Sequence, residues 1–379
     1  MVGAGPAGSA AAAALAARGR RVLLLEKDRF PRRKVCGEFL SGRAVPSLER
    51  LGLRAEIESI AAPIDRGTLH LPSAAPLGFA LPAPAFGISR YALDALLACR
   101  ATSLGAELRC GARVIAVERF DRTARGFRVR WTGSSGGEPG EAAAAAAVGA
   151  WGRWDALDRA LERRFMREAE RYVGWSRDYP RASGGLAGEV RLYVFPGGYC
   201  GLSPVDGGVA HLAGVISERL RRRIAPGWPA VVAHARRANR PLDRDLSALG
   251  EEGEDLGTGP VYFTRKPPSA DGAIFAGDAS GVLDPFSGEG QASALASGLL
   301  AADTVERALA GEIGWEMLPG EYAAAWRRRF GRRFAWSAAF RGLVLHPRLA
   351  KVAAGLAGER LMRVAVRKMA GPEAVTSKQ

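Results

Sequence analysis

Apolar and polar positions along this chain fall into runs of distinct period, and each run predicts an element. Residues 10–18 are an almost unbroken alanine run that predicts a helix, ended by Gly19, and residues 21–26 (RVLLLE) predict a strand. Residues 45–53 read as a short helix, and the apolar, proline-rich stretches 67–71 and 77–81 as strands of a second sheet. Leu93, Leu96, Leu97 and Leu104 recur at helical spacing and predict an amphipathic helix over 92–104. Strands are expected at 107–109 and 114–117 as a hairpin-like pair, and the alanine run 142–147, just ahead of a glycine-rich turn, as a buried strand. From 171 to 215 the residues alternate between Gly and Pro turns, the pattern of an antiparallel sheet. Residues 217–249 return to basic, helical sequence broken by Pro226 and Pro229. A short buried strand over 273–276 then leads to a helix starting near Glu289 or Gly290, and a basic helical tail is expected over 322–369.

Two junctions in this pattern carry chemistry. The first is Gly3-Ala4-Gly5-Pro6-Ala7-Gly8, a G-x-G-x-x-G turn that opens a helix, with an acidic residue, Glu26, at the end of the following strand. That spacing suits a dinucleotide: glycines let the backbone approach a pyrophosphate, the helix start favours its charge, and the acid meets a ribose hydroxyl. Only Met1 and Val2 precede Gly3, where a strand of about five residues is usual, so an upstream start is expected. The second junction is Asp271 to Gly298, where Gly277-Asp278 ends the buried strand and a loop holding Gly281, Pro285, Gly288 and Gly290 follows. A carboxylate at a strand end can accept ligand hydroxyls, and the helix beyond turns its positive end to a group that becomes anionic.

Composition narrows the classes. The 379 residues allow two or three subdomains, with 47% hydrophobic and 25% charged residues, as in globular proteins at large. The net charge of +15 comes almost entirely from arginine, and with so much alanine it reads first as genome bias, then as affinity for an acidic partner such as an anionic membrane, a carrier protein or a phosphorylated substrate. No recognition motif or basic–aromatic interleaving supports a nucleic-acid partner. Four cysteines and four histidines without paired spacing argue against a metal and for reduced thiols in a cytoplasm. No charge-free apolar run is long enough to span a membrane.

With Arg90 ahead of the long helix and the Gly149-Ala150-x-Gly152-Arg153 turn, these motifs fall in one order. In that order the chain resembles the FAD-dependent oxidoreductases that include geranylgeranyl reductases, para-hydroxybenzoate-hydroxylase-type monooxygenases and flavin halogenases. The resemblance spans roughly residues 1–310, and Lys34-Val35-Cys36-Gly37 leans toward the geranylgeranyl-reductase-like branch. It implies an α/β (α+β) fold: a Rossmann-like FAD-binding domain (1–63, 88–165 and 260–312), an inserted antiparallel-sheet substrate domain (64–87 and 166–259) and a C-terminal helical region (313–379). It also implies roles. Gly3, Gly5, Pro6, Ala7 and Gly8 would cradle the pyrophosphate, with Glu26 and Lys27 at the adenosine ribose and Val114 at the adenine. Arg90 would reach the phosphate or the ring region, and Gly277 and Asp278 the ribityl chain and pyrophosphate. Pro285, Gly288, Glu289 and Gly290 would face flavin N1 and O2, and Cys36 and Gly37 would line the isoalloxazine ring. The implied activity is a monooxygenase or hydroxylase on a hydrophobic aromatic, polyketide or isoprenoid substrate, free or carrier-bound, with NAD(P)H as electron donor. A reductase of isoprenoid double bonds is the alternative, and a non-catalytic flavin-binding partner the reading from another class. Trp151 stands where the family often has Asp, which sets direct use of NADPH apart from the family pattern.

Other residues admit two readings each. Cys36 is either a thiol against the ring or a small residue allowing close approach, and Cys200 lines a cavity or packs a strand. Glu38 and Glu289 are either proton-transfer groups or, for Glu289, a partner of the helix dipole. The cluster Arg29, Arg32, Arg33 and Lys34 neutralises phosphates or forms a solvated loop. His70 and His211 sit in apolar strands as core or surface residues. In the tail, Trp326, Phe330, Phe334, Trp336 and Phe340 alternate with arginines, so the helix either lies peripherally on a membrane or packs its aromatics on the domain.

Overall fold

The computed structural model describes residues 1–344 except 73, 121–125, 135, 154, 164, 166–170, 181–182 and 251–252. Its strands are β1 (Leu23–Glu26), β2 (Phe39–Leu40), β3 (Ala62–His70), β4 (Leu77–Gly87), β5 (Glu107–Cys110), β6 (Ala112–Arg119), β7 (Phe127–Gly133) and β8 (Gly140–Ala144). They continue with β9 (Val148–Gly149), β10 (Arg171–Tyr179), β11 (Gly188–Phe195), β12 (Gly198–Val205), β13 (Val209–Ser217), β14 (Asp255–Tyr262), β15 (Ser269–Ala270) and β16 (Ala273–Phe275). The helices are α1 (Pro6–Ala16), α2 (Val45–Leu51), α3 (Arg54–Ile60), α4 (Arg90–Ser103) and α5 (Ala156–Ala160), then α6 (Glu218–Arg221), α7 (Trp228–Ala238), α8 (Arg240–Leu249), α9 (Gly290–Leu309) and α10 (Leu318–Val344).

Val2 bridges Gly149 on one side and Leu25 on the other, both in parallel. It thereby joins β15-β16-β9 to β1-β5 and completes a mostly parallel sheet in which only β15 runs antiparallel. Such a sheet needs helices against it, and α1 supplies one. All eleven residues of α1 are buried, which their small side chains permit. A Cβ on Gly298 would overlap the carbonyl of Ala7, so α1 and α9 touch backbone to backbone. α4 starts where the Ser89 hydroxyl accepts the N–H of Ala92 (3.1 Å) and buries Leu93, Leu97 and Ala101.

The second sheet runs β14-β10-β13-β12-β11-β3-β4-β2 and is antiparallel except where β11 meets β3. Against it pack α7 and α8, whose Val231, Ala235, Leu242 and Leu246 join Trp175, Tyr193 and Leu212 in one apolar cluster. A third sheet, β6-β7-β8, flanks the first.

Two expectations need correction. Residues 107–110 and 112–119 do not form a hairpin: Gly111, at φ +72°, redirects the chain, so β5 pairs in parallel with β1 and β6 pairs with β7. The alanine run 142–147 is not one buried strand. Its first part lies in β8, with alternate residues exposed, and the buried strand begins only at Val148.

In α10 the stripe Tyr322, Trp326, Phe330 and Phe334 is buried while Arg327, Arg328 and Arg329 face water. Each buried aromatic is worth about 2 kcal/mol, so the stripe holds the helix to the first sheet's layer. The Tyr322 hydroxyl donates to the Phe275 carbonyl (2.7 Å) and the Trp326 indole N–H to Ser280 (3.0 Å). Trp336 departs from the stripe at 41% exposed, and the side chain of Phe340 lies outside those described. Among the described residues no helix is long and apolar enough to cross a membrane. The tail expected beyond 344 lies outside the described residues.

Candidate functional site

The glycine turn is fixed by steric necessity. Gly3 has φ +98°, and a Cβ there would lie 2.5 Å from the Ala150 oxygen. A Cβ on Gly8 would overlap the Gly3 carbonyl. Between them α1 begins at Gly5–Pro6 with no capping side chain and no acid in its first turn. Its first N–H groups therefore lack intrahelical acceptors and present the positive end of the helix outward. Arg90 stands beside it, its guanidinium 3.7 Å from where a Gly5 Cβ would be. Two bonds to the Asp94 carboxylate, both 2.7 Å, hold it there, and its backbone N–H donates to Glu38 (2.9 Å). An uncapped helix start beside a braced arginine suits a diphosphate.

Glu26, at the end of β1, is almost fully engaged. It accepts from the N–H of Ala4 (2.8 Å) and of Asp28 (3.1 Å) and pairs with buried Arg32. Any ribose bond would be added to that set. Lys27 receives the Ser134 hydroxyl on its carbonyl (2.6 Å), and Val114 lies buried in β6 opposite Trp131.

The late junction comes to the same side. Two residues past the end of β16 comes Gly277, at φ +62°, whose N–H donates to Ser297 (2.8 Å). The next carboxylate, Asp278, accepts no hydrogen bond among the described residues, although Arg153 and Lys266 face it electrostatically. Burial lowers the guanidinium of Arg153, which donates to Thr258 (3.0 Å), and pushes the Lys266 ammonium down to about 8, against the pull of Asp158 and Asp278. Further on, Asp284 is buried and bonded to the Tyr199 hydroxyl, while its backbone N–H donates to Ser337 of α10 (3.2 Å). This network ties the loop carrying Pro285 and Gly288 both to the second sheet and to α10.

Between these parts lies a cavity of about 170 Å³. The second sheet walls it with Trp175, Leu192 and Tyr199 and, from its strand β4, with Phe79 and Leu81. Cys36, Gly37 and the 285–289 loop form its rim, and Arg153, Arg43 and Glu289 are its charged members. The structure thus brings Cys36, Gly37, Pro285, Gly288 and Glu289 to one cavity, while Glu26, Lys27 and Val114 lie away from it. Cys200 is fully buried, and burial takes its thiol far up. The Gln291 amide donates to the Cys36 sulfur (3.2 Å).

Sequence reasoning missed Arg43 and Lys266, named Arg153 in its turn without giving it a role, and missed one cluster. His211 places Nδ1 2.5 Å from Asp178 and 3.4 Å from Glu38, and Nε2 2.8 Å from the Cys36 carbonyl. The three side chains have metal-ligand chemistry. Their spacing is that of direct hydrogen bonds, and Arg33 already pairs with Asp178. The cluster is better read as a tie that fixes the Cys36–Glu38 segment, where Glu38 has φ +50°, to β10 and β13.

Residues 1–177 match the family described as FAD binding domain. The chain is an FAD-binding flavoprotein. Over most of its length it is similar to a reductase and to a halogenase, two of the classes that its motifs resemble. It is 28% identical to the menaquinone reductase of Mycobacterium tuberculosis over 97% of this chain and 90% of that protein. It is 27% identical to digeranylgeranylglycerophospholipid reductase 2 of Methanopyrus kandleri, over 89% of this chain and 84% of that one. The fold is shared with the myxobacterial chondrochloren halogenase, at a TM-score of 0.79 and 23% identity over 97% of this chain and 89% of that one.

Proposed function

We propose that this flavoprotein is a reductase that saturates a carbon–carbon double bond in an apolar, isoprenoid-like substrate. The observation that carries this reading is the cavity. Its walls are aromatic and aliphatic, and its rim is formed by the two segments, 36–37 and 285–289, that the resemblance assigns to the flavin ring. Two of the relatives similar over most of the chain, named as reductases of a menaquinone and of a digeranylgeranyl lipid, support the same substrate class.

In this reading Gly3, Gly5 and Gly8 admit the FAD diphosphate to the start of α1, with Arg90 beside it. Asp278 offers its unbonded carboxylate to the ribityl hydroxyls, and Glu26 and Lys27 stand at the adenosine ribose. Reduced FAD, when bound, supplies a hydride. The protein's own contribution is to hold the substrate chain against Phe79, Leu81, Trp175 and Leu192 and to keep water from the ring. NAD(P)H is the proposed source of electrons, with Trp151 rather than Asp in the Gly149–Gly152 turn.

The test is anaerobic incubation of flavin-loaded, chemically reduced protein with a prenyl-chain quinone or lipid, followed by mass spectrometry. A product heavier by two hydrogens in the absence of oxygen is expected. Turnover only in air, with oxygen incorporated, would establish the monooxygenase reading instead.

A further inference from the structure

The cavity holds one buried acid that this reading leaves without a task. Glu289 precedes α9, is 6% exposed and lines the cavity with Arg43, Ser287 and Gly288. Its side chain makes no capping bond to the helix, so the expected partnership with the helix start is not made through a hydrogen bond. Oε2 receives no hydrogen bond. The Arg43 guanidinium from the 3₁₀ turn Gly42–Ala44 comes to 3.4 Å, beyond hydrogen-bond length. Ser41 and, from α10, Arg333 also face it. Burial pushes the carboxyl up to about 7, outweighing the two arginines and the Ser41 hydroxyl, which all favour the carboxylate.

We propose that Glu289 is the acid–base group of the cavity, standing there as a neutral carboxylic acid and giving its proton to the substrate. The inference rests on the reductase reading. The substrate's π bond breaks and two C–H bonds form: one carbon takes a hydride from the reduced flavin, which is thereby oxidised, and its neighbour takes the proton of Glu289. The acid is left as a carboxylate beside Arg43 and regains a proton from water when product leaves. An arginine paired at 3.4 Å suits that cycle, because it stabilises the transient anion while burial keeps the resting acid protonated.

Infrared difference spectroscopy of the protein across pH, with and without FAD, tests the resting state. A protonated carboxyl band that fades with a midpoint near 7 is expected in the wild type, retained in Glu289→Asp and absent in Glu289→Gln. Anaerobic single turnover tests the role: Glu289→Gln should form saturated product about 100-fold more slowly, at unchanged FAD content, and Glu289→Asp should recover part of the rate. A wild type without the band, or a Glu289→Gln protein that forms product at full rate, overturns the proposal and leaves the reductase reading standing. A band with no saturated product from the wild type overturns the reductase reading, and the proposal with it.

Discussion

Two glutamates lie buried near the two helix starts of this flavoprotein, and their surroundings are opposite. Glu26 has the Ala4 and Asp28 amides and the Arg32 guanidinium on its oxygens. Glu289 has an oxygen with no donor and an arginine 3.4 Å away. Both are cut off from solvent, so burial alone does not separate them. The number of donors does. A carboxyl ringed by donors is a fixed part of the scaffold, whereas one left short of them is cheap to protonate and free to exchange.

The sharpest way to break this comparison is to remove the better-held acid. Glu26→Ala should cost about 4 kcal/mol in chemical denaturation at neutral pH, because it leaves Arg32 buried with its nearest partner gone. Asp94 and Asp28 remain at 3.4 and 3.3 Å and offset part of that loss. A cost under about 1 kcal/mol would mean that Glu26 is not part of the scaffold. Next in size is Gly8→Ala. Its methyl would be forced onto the Gly3 carbonyl, at a cost of about 3 kcal/mol with loss of FAD binding, read by thermal unfolding and by the flavin spectrum of the purified protein.

Glu289→Gln should move stability the other way. The folded carboxyl, at about 7, lies above its ordinary 4.5, so its favourable contribution is complete below pH 4.5 and is lost as pH rises to 7. Above that the wild type carries a penalty approaching about 3 kcal/mol, which a neutral glutamine avoids. Variant and wild type should unfold alike near pH 4 and diverge through pH 7, the variant being the more stable. Parallel stability curves across that range would put Glu289 in the same class as Glu26.

The parts of this site that were legible in the sequence are those where the backbone itself is the constraint. Gly3, Gly8 and Gly277 announce themselves because no other residue fits their angles or contacts, and their spacing along the chain is the message. In α10 the spacing of Trp326, Phe330 and Phe334 was equally local, but the sequence left a membrane face and packing on the domain both open, and it did not mark Tyr322 as part of the buried stripe or Trp336 as exposed. What stayed hidden depends on partners brought together by folding. Arg43 meets Glu289 across most of the chain, and His211 joins Asp178, Glu38 and the Cys36 carbonyl from three separate segments. Nothing at position 289 distinguishes a capping acid from an isolated one. The alanine run 142–147 misled for a related reason: six identical small side chains carry no alternation, so where its strand pairing stops is set by β7 and not by the run itself.

The smallest effect on stability should come from Asp278, and that is what makes it informative. Its carboxylate accepts no hydrogen bond among the described residues, and it shares only electrostatic contact with Arg153 and Lys266. Asp278→Ala therefore removes no bond from the scaffold and should change the unfolding free energy by no more than about 0.5 kcal/mol. If this carboxylate is reserved for ribityl hydroxyls, the same variant should lose FAD by a large factor, since each charge-assisted bond withdrawn from a buried ligand is worth about 2 kcal/mol. Equilibrium dialysis of FAD against wild type and variant, alongside thermal unfolding of the flavin-free proteins, separates the two quantities. Weak FAD with an unchanged apoprotein would put Asp278 apart from both glutamates, as an acid whose partner is the cofactor. An apoprotein as damaged as Glu26→Ala would place it in the scaffold instead.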